Sequence, residues 1–168
     1  MLSEILERRT LKKGEMLLED GQVAKHIAIV VSGMLRQFYY KNGHDITEHF
    51  ACEGDGLCSL LSLFRQEKSK QIIEALEPSC VLLMPYAGLV ELSYKSKVMN
   101  SFLRSILESS LIMSQKKADS WRFETSRERY ERFLKEYPEA AKRAHISHIA
   151  SYLLMTPESL SRVRAGKL

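Results

Sequence analysis

The sequence predicts an α+β protein in which an antiparallel β-domain comes first and helices follow. Six of its eight glycines lie between Gly14 and Gly56, where they separate short apolar or alternating runs. This regular spacing of turns and short runs is typical of the strands of a barrel or sandwich. After Pro85 the glycines nearly cease, and apolar residues recur at the three- and four-residue spacing of helices.

The predicted strands lie between Leu11 and about Pro85. Asn42-Gly43 separates two of them, and this dipeptide indicates a hairpin because it suits the tightest connection between antiparallel strands. The runs that predict strands are residues 27–31, 35–40, 46–50, 72–73 and 81–84.

Two helices are predicted after the strands. Residues 98–121 form one uninterrupted stretch, about 36 Å long as a helix, with one apolar stripe that begins at Val98 and a second that begins at Leu103. Because apolar residues cover two faces, we expect this helix to pack on its own β-domain and on a partner helix; a plain core helix is the alternative. A second helix over residues 126–136 opens with a capping-box pattern and ends at a proline.

Composition and charge exclude several classes of protein. Apolar residues make up 45% of the chain, but none of their runs approaches the roughly 20 residues of a membrane span. The three cysteines cannot all pair and the N-terminus carries acids, so we expect a cytoplasmic protein without a secretory signal. Residues 1–115 carry 13 Lys/Arg and 14 Asp/Glu, net −1, whereas residues 116–168 carry 12 and 7, net +5. The basic last third favours a polyanion partner, and an ordinary solvated surface is the alternative.

Residues 146–164 predict two short helices that cross closely. Ile149, Ala150 and Leu153 form the apolar face of the first helix. Thr156 is a good N-cap for the second helix, and Pro157 is favoured at its first position. Leu160 and Val163 would face the first helix. The residues then left outward on the second helix are Pro157, Glu158, Ser159, Ser161, Arg162 and Arg164.

This outward set suits the major groove of DNA. Arg162 can bond the O6 and N7 atoms of guanine, and Glu158 can accept a hydrogen bond from cytosine N4. Short polar or basic side chains would approach the phosphates, and we assign this role to Ser147, His148, Thr156, Ser159 and Arg164. A surface helical hairpin with a Glu158–Arg162 ion pair is the alternative.

The pattern resembles the helix-turn-helix of the Crp/Fnr family of bacterial transcription regulators. Members of that family carry (S/T)-x-E-x-x-x-R on the recognition helix, and Thr156, Glu158 and Arg162 match it. The sequence around this motif resembles that of a subgroup found in Bacteroidetes-type bacteria. Upstream, the turn residues resemble those of a cyclic-nucleotide-binding β-roll of the jelly-roll type: residues 11–15, Gly21, residues 31–33, Gly43 and Gly54-Asp55.

The resemblance implies three parts. Residues 1–95 would be a cyclic-nucleotide-binding-like β-roll sensor domain, residues 96–122 a long dimerisation helix, and residues 123–168 a helix-turn-helix DNA-binding domain. A homodimer would place two recognition helices about 34 Å apart on a pseudo-palindromic DNA site. The resemblance also offers RNA polymerase as a further partner, and it implies no membrane partner.

The predicted effector pocket departs from the cyclic nucleotide members of the family. Those members hold ribose and phosphate with a Gly-Glu pair and an Arg-Ser pair, where this chain has Cys58-Ser59 and Ser69-Lys70. A cyclic phosphate would lose its bidentate guanidinium and its ribose acceptor, so we expect no tight binding of cyclic AMP. Residues 1–51 contain no cysteine, so we expect no iron–sulfur cluster. Two alternatives stay open: another effector, or a cavity filled by side chains.

Two features of the C-terminal segment also depart from the family. Residues 153–155 read Leu-Leu-Met where the turn between the helices usually has glycine. A leucine in a left-handed conformation costs roughly 1–2 kcal/mol, so we expect a different turn geometry. The few residues after Arg164 predict a very short wing or none. These departures motivate an alternative function, a small-molecule sensor module with degenerate DNA binding.

No catalytic pattern is found in the sequence. It has no Gly-x-Ser-x-Gly, no phosphate loop and no paired carboxylates, so we expect no enzyme. His44, His49 and Cys52 are close in sequence, but residues five apart on a strand point to opposite faces, so we expect no metal site there.

Overall fold

The computed structural model describes residues 2–166, which contain eight strands and seven α-helices. The strands form two four-stranded antiparallel sheets, with the orders β1-β8-β3-β6 and β2-β7-β4-β5. The predicted α+β class with an N-terminal antiparallel β-domain is confirmed. The strands are β1 Glu7–Leu11, β2 Met16–Leu18, β3 His26–Ser32, β4 Leu35–Lys41, β5 His44–Ala51, β6 Gly56–Leu57, β7 Ile72–Ala75 and β8 Ser79–Pro85.

Two turns of the β-domain depend on glycine. Asn42 and Gly43 have φ values of 52° and 80°, so the β4–β5 connection is the predicted hairpin, with a left-handed conformation at both central residues. Gly33 joins β3 to β4 at a φ of 92°, and a Cβ placed there would lie 2.7 Å from the carbonyl oxygen of Pro78. Any other residue at position 33 would therefore collide with the β7–β8 turn.

The helices follow the last strand, with one exception. A short 3₁₀ helix, Leu2–Glu4, precedes β1, and α1 lies between β6 and β7. Each helix in residues 2–166 is too short or too polar to cross a membrane. The α-helices are α1 Leu60–Arg65, α2 Tyr86–Lys95, α3 Lys97–Phe123, α4 Ser126–Glu136, α5 Pro138–Arg143, α6 Ile146–Tyr152 and α7 Pro157–Arg164.

Three helices, α1, α2 and α5, were not predicted, because the sequence indicated strands up to Pro85 and no helix over residues 86–97 or between residues 136 and 146. Helices α1 and α5 have six residues each, too few to show a helical period. Pro138 ends α4, as predicted, but it is also the first residue of α5. Proline is favoured at the first helical position because the backbone N–H that it lacks would have no hydrogen-bond partner within the helix there.

Helix α3 is 27 residues long, slightly longer than the predicted stretch. Its first half packs on the β-domain through Met99, Phe102, Leu103 and Ile106. Only Met99 and Ser120 are fully buried, so most of the helix presents side chains to solvent. The large apolar side chains that α3 exposes are Val98, Leu111, Ile112, Met113, Trp121 and Phe123.

The C-terminal helices share a core with the β-domain. Phe133 of α4 and Tyr152 of α6 pack with Phe50 of β5 and with Met34, which precedes β4. Thr125 begins α4 with the predicted capping box. The predicted shortness of a wing concerns residues 165–168, of which 167 and 168 lie outside the described residues.

Candidate nucleic-acid interface

Helix α7 is built as the sequence predicts. The Thr156 hydroxyl accepts a hydrogen bond from the Ser159 backbone N–H at 3.1 Å, and Pro157 is at the first helical position. Leu160 and Val163 are buried against the neighbouring helices. Because these two residues fix one face of α7 inward, the face that carries the predicted DNA contacts is turned outward.

The outward face of α7 is polar and carries unpaired charges. Glu158, Ser161, Arg162 and Arg164 are exposed, and Ser159 is half-buried. The pKa of Glu158 is lowered by hydrogen bonds from its own backbone N–H and from Thr156, with a smaller contribution from Arg162, so its carboxylate is charged at neutral pH. Within residues 2–166, neither Glu158 nor Arg162 forms an ion pair, so the charge of each is not neutralised by a partner.

The turn between α6 and α7 contains a leucine in the left-handed conformation. Leu154 has a φ of 54°, so the expectation of a different turn geometry is wrong. Two interactions hold the turn: Leu153 is buried, and the Met155 N–H donates to the Ala150 carbonyl at 3.0 Å. Leu154 itself is 47% exposed, so the roughly 1–2 kcal/mol of backbone strain has no matching gain from its own burial.

One of the two α6 side chains that were predicted to contact phosphates, Ser147, is already hydrogen-bonded within the protein. The Ser147 hydroxyl lies 2.7 Å from Nδ1 of His145, which caps α6. His148 is half-buried and its Nδ1 is buried without a partner. Burial, and then the charge of Arg36, lower the pKa of His148 to about 4, so its ring is neutral at pH 7. The assignment of His148 to a phosphate stays a prediction.

Polar contacts attach α6 to the β4–β5 hairpin. The Thr47 N–H donates to the Ser151 hydroxyl at 2.9 Å, and that hydroxyl donates to the Asp45 carbonyl at 2.7 Å. The Asp45 carboxylate pairs with Arg36, which is 2% exposed and also bonds Glu74 at 3.2 Å. Sequence analysis missed these residues, because Ser151 and Thr47 are 104 positions apart and no local pattern marks them.

An aromatic cluster fills the same contact surface. The rings of Phe50, Phe133, Tyr137 and Tyr152 lie with centroids 5.3 to 6.1 Å apart. His49 Nδ1 lies 2.8 Å from the Tyr137 hydroxyl, and burial, with a smaller effect of Lys117, lowers the pKa of His49 to about 4. We call the contact surface between strands β4–β5 and helices α4–α6 the junction.

Three ion pairs, formed by Lys117 and Arg143, flank the junction. Lys117 of α3 bonds Glu48 of β5 at 2.7 Å, with its ammonium 5.1 Å from the ring centroid of Tyr152. Arg143 of α5 bonds Glu53 and Glu77, each at 2.8 Å. Together with the aromatic cluster, these pairs hold the C-terminal helices in one orientation on the β-domain.

Two of the four predicted effector residues, Ser59 and Ser69, are brought into contact by the fold. The Ser69 hydroxyl donates to Ser59 at 3.0 Å and accepts from the Gln71 N–H, so both serines already have partners. Burial raises the pKa of the Cys58 thiol to about 11. Lys70 is exposed. The prediction of no tight cyclic AMP binding is consistent with this arrangement and stays a prediction.

Comparisons with known proteins agree on the fold. The sequence pattern of the cyclic nucleotide-binding domain matches residues 8–95. Among solved structures, the chain is similar to FixK2 from Bradyrhizobium japonicum, with 19% identity, a TM-score of 0.81, and coverage of 96% of this chain and 84% of that one. It is also similar to a CooA mutant from Carboxydothermus hydrogenoformans, with 15% identity, a TM-score of 0.75, and coverage of 97% and 76%.

A third solved structure extends the likeness to a named class of regulators. A protein from Eubacterium rectale assigned to the Crp/Fnr family of transcriptional regulators shares 17% identity at a TM-score of 0.73, with coverage of 98% of this chain and 79% of that one. No curated protein matches the chain. Identities this low show the fold alone, which extends over nearly the whole chain. By the match over residues 8–95, the chain belongs to the cyclic nucleotide-binding domain family.

Proposed function

We propose that the chain is a sequence-specific DNA-binding transcription regulator of the Crp/Fnr type. The observation that carries this proposal is the outward face of α7, where Glu158 and Arg162 share one helical face, are exposed and have no ion-pair partner in the described chain. The net charge of +5 over residues 116–168 supports a polyanion partner.

The chemistry of α7 assigns a role to each of its outward residues. Arg162 bonds guanine O6 and N7 with its planar fork, and Glu158 accepts from cytosine N4. Pro157 and Ser161 are exposed beside these two contacts. Phosphates are contacted by Thr156, Ser159 and Arg164, which fix the register of the helix in the groove.

A homodimer completes the regulator. On α3, Val98 and Ile112 lie two heptads apart and are 76% and 55% exposed, and Leu111 is 70% exposed. A second copy of α3 would cover these side chains and place two copies of α7 about 34 Å apart. Sedimentation should therefore give twice the 19.3 kDa of one chain. Leu111→Glu should yield the monomer, and a wild-type monomer at micromolar concentration would contradict the dimer.

The decisive test is a fluorescence anisotropy titration of the full chain with a duplex pool enriched from random sequence, against bulk competitor DNA at two salt concentrations. We expect an enriched palindromic site to bind at least about 1,000-fold more tightly than bulk DNA, with affinity that falls steeply with salt. Weak binding without sequence preference would contradict the proposal.

A sensor module with degenerate DNA binding is the second candidate. It is favoured by a cavity of about 610 Å³ in the β-domain. Retention of a small molecule during purification, combined with sequence-blind DNA binding in the titration, would select this function over the first.

A further inference from the structure

The cavity of about 610 Å³ opens between the two sheets of the β-domain. Its floor is apolar and comes from four strands, through Leu18 of β2, Leu57 of β6, Ile73 of β7 and Leu83 of β8. The volume lies within the ~300–1,000 Å³ of sites that take small molecules. Of the four residues predicted to hold an effector, only Ser59 lines this cavity.

The entrance of the cavity carries charged side chains of both signs, and Glu7 is the acidic residue of its lining. Arg9 and Lys25 are part of its lining. Arg9 bonds Glu15 at 3.2 Å, whereas Lys25 is exposed and forms no ion pair with any residue between 2 and 166. Lys68 lies beside the same entrance, because a backbone bridge pairs it with Val23 of the lining. In the part of the chain that the structure describes, two lysines without ion pairs, Lys25 and Lys68, thus outnumber the one unpaired carboxylate, that of Glu7, beside the apolar floor.

We propose that this cavity binds a medium-chain monocarboxylate. The alkyl chain lies between the sheets against Leu18, Leu57 and Ile73, and the carboxylate bonds Lys25 at the entrance. A ligand with a polar body would leave polar groups unpaired against the leucine and isoleucine side chains of the floor. This site is independent of the DNA-binding function proposed above.

Calorimetric titration of the full chain with sodium decanoate, below its micelle concentration, tests the proposal. We expect saturable binding of one decanoate per chain. Lys25→Glu should weaken it by about fivefold, because one attractive charge is replaced by a repulsive one at a solvated entrance. Lys13→Glu is the matched control: it makes the same change at an exposed lysine outside the cavity and should leave the affinity unchanged.

Two further measurements locate the ligand and define its class. Val23→Trp narrows the entrance at a half-buried position and should weaken decanoate binding by at least about tenfold, with the fold checked by circular dichroism. Decanol should bind Lys25→Glu and the wild type equally. The proposal is overturned if decanoate shows no saturable binding, if Lys13→Glu weakens it as much as Lys25→Glu, or if cyclic AMP binds and displaces decanoate.

Discussion

Helices α6 and α7 have seven and eight residues and both begin at a side-chain cap, but their polar residues are used differently. On α6, the side chains of Ser147, His148 and Ser151 face or bond the protein itself. On α7, Glu158 and Arg162 project from the surface. The comparison teaches that the first helix positions the pair on the β-domain, whereas the second is left free to meet a ligand.

The largest expected effect is a dependence of the free energy of unfolding on pH, which tests the packing at the junction. His49 is buried at the junction with a pKa of about 4, below the 6.5 of an exposed histidine. The unfolded chain therefore binds more protons between pH 6.5 and 4, and the free energy of unfolding should fall over that interval, by an amount on the order of 3 kcal/mol. Urea denaturation from pH 7.5 to 4 measures it. His148 also has a pKa of about 4, so His49→Asn should remove only the part of the dependence that His49 contributes. His44→Asn, at the exposed hairpin, should leave the curve unchanged, and equal curves for the two variants would refute the role of His49.

Arg162→Ala should change DNA binding by the exposed face of α7 without changing the stability of the fold. We expect specific DNA affinity to fall by roughly 1–3 kcal/mol and base preference to relax, because a bidentate contact to guanine is lost. The free energy of unfolding should not change, since Arg162 is exposed and unpaired. Arg127→Ala, on the exposed side of α4, is the matched control and should leave base preference intact. Unchanged specific binding by Arg162→Ala would remove it from the interface.

Replacement of one serine by alanine on each helix, Ser151 on α6 and Ser161 on α7, compares how much each helix depends on its polar contacts for stability. Ser151→Ala removes the partner of the Thr47 N–H and of the Asp45 carbonyl, so we expect a loss of about 1–2 kcal/mol in the free energy of unfolding. Ser161→Ala, on the exposed face of α7, should cost almost nothing in stability. Denaturant melts of the two variants measure the difference, and similar losses would show that the junction does not depend on Ser151.

The smallest effect concerns the turn between the two helices. Leu154→Gly should raise the free energy of unfolding by about 0.5–1 kcal/mol, because glycine adopts the left-handed conformation without strain. Leu154→Ala shortens the side chain but keeps the strain, so it should give no increase. A gain in both variants would mean that exposure of the leucine, and not its backbone conformation, is the source of the cost.

Features fixed by neighbouring residues could be predicted from the sequence. The Asn42-Gly43 hairpin, the capping box at Thr125 and the Thr156 cap each depend on side chains within a few positions, and each is found where expected. The extent of α3 followed from its apolar stripes. Local patterns therefore located α7 and its outward residues.

Features that depend on distant contacts could not be predicted. His148 was assigned to a phosphate from the sequence, whereas burial and the charge of Arg36, which act on its ring in the fold, come from distant residues. The bond of Ser151 to the hairpin likewise has no local pattern that indicates it. The left-handed Leu154 ran against local preference, because burial of Leu153 and a hydrogen bond to Ala150 decide the turn. The effector positions stay a prediction, and the hydrogen bond that joins Ser59 to Ser69 across ten residues is a contact that no local pattern indicates.

The shared core has a consequence for how such proteins can be recombined. Met34 and Phe50 of the β-domain contribute to the same cluster as Phe133 and Tyr152 of the C-terminal helices. Cutting the chain before α4 would leave both sides with half of an apolar interior exposed to water. Helices α4–α7 therefore cannot be exchanged alone, and a chimaera that takes them from a protein of similar fold also needs the β4–β5 hairpin of that protein.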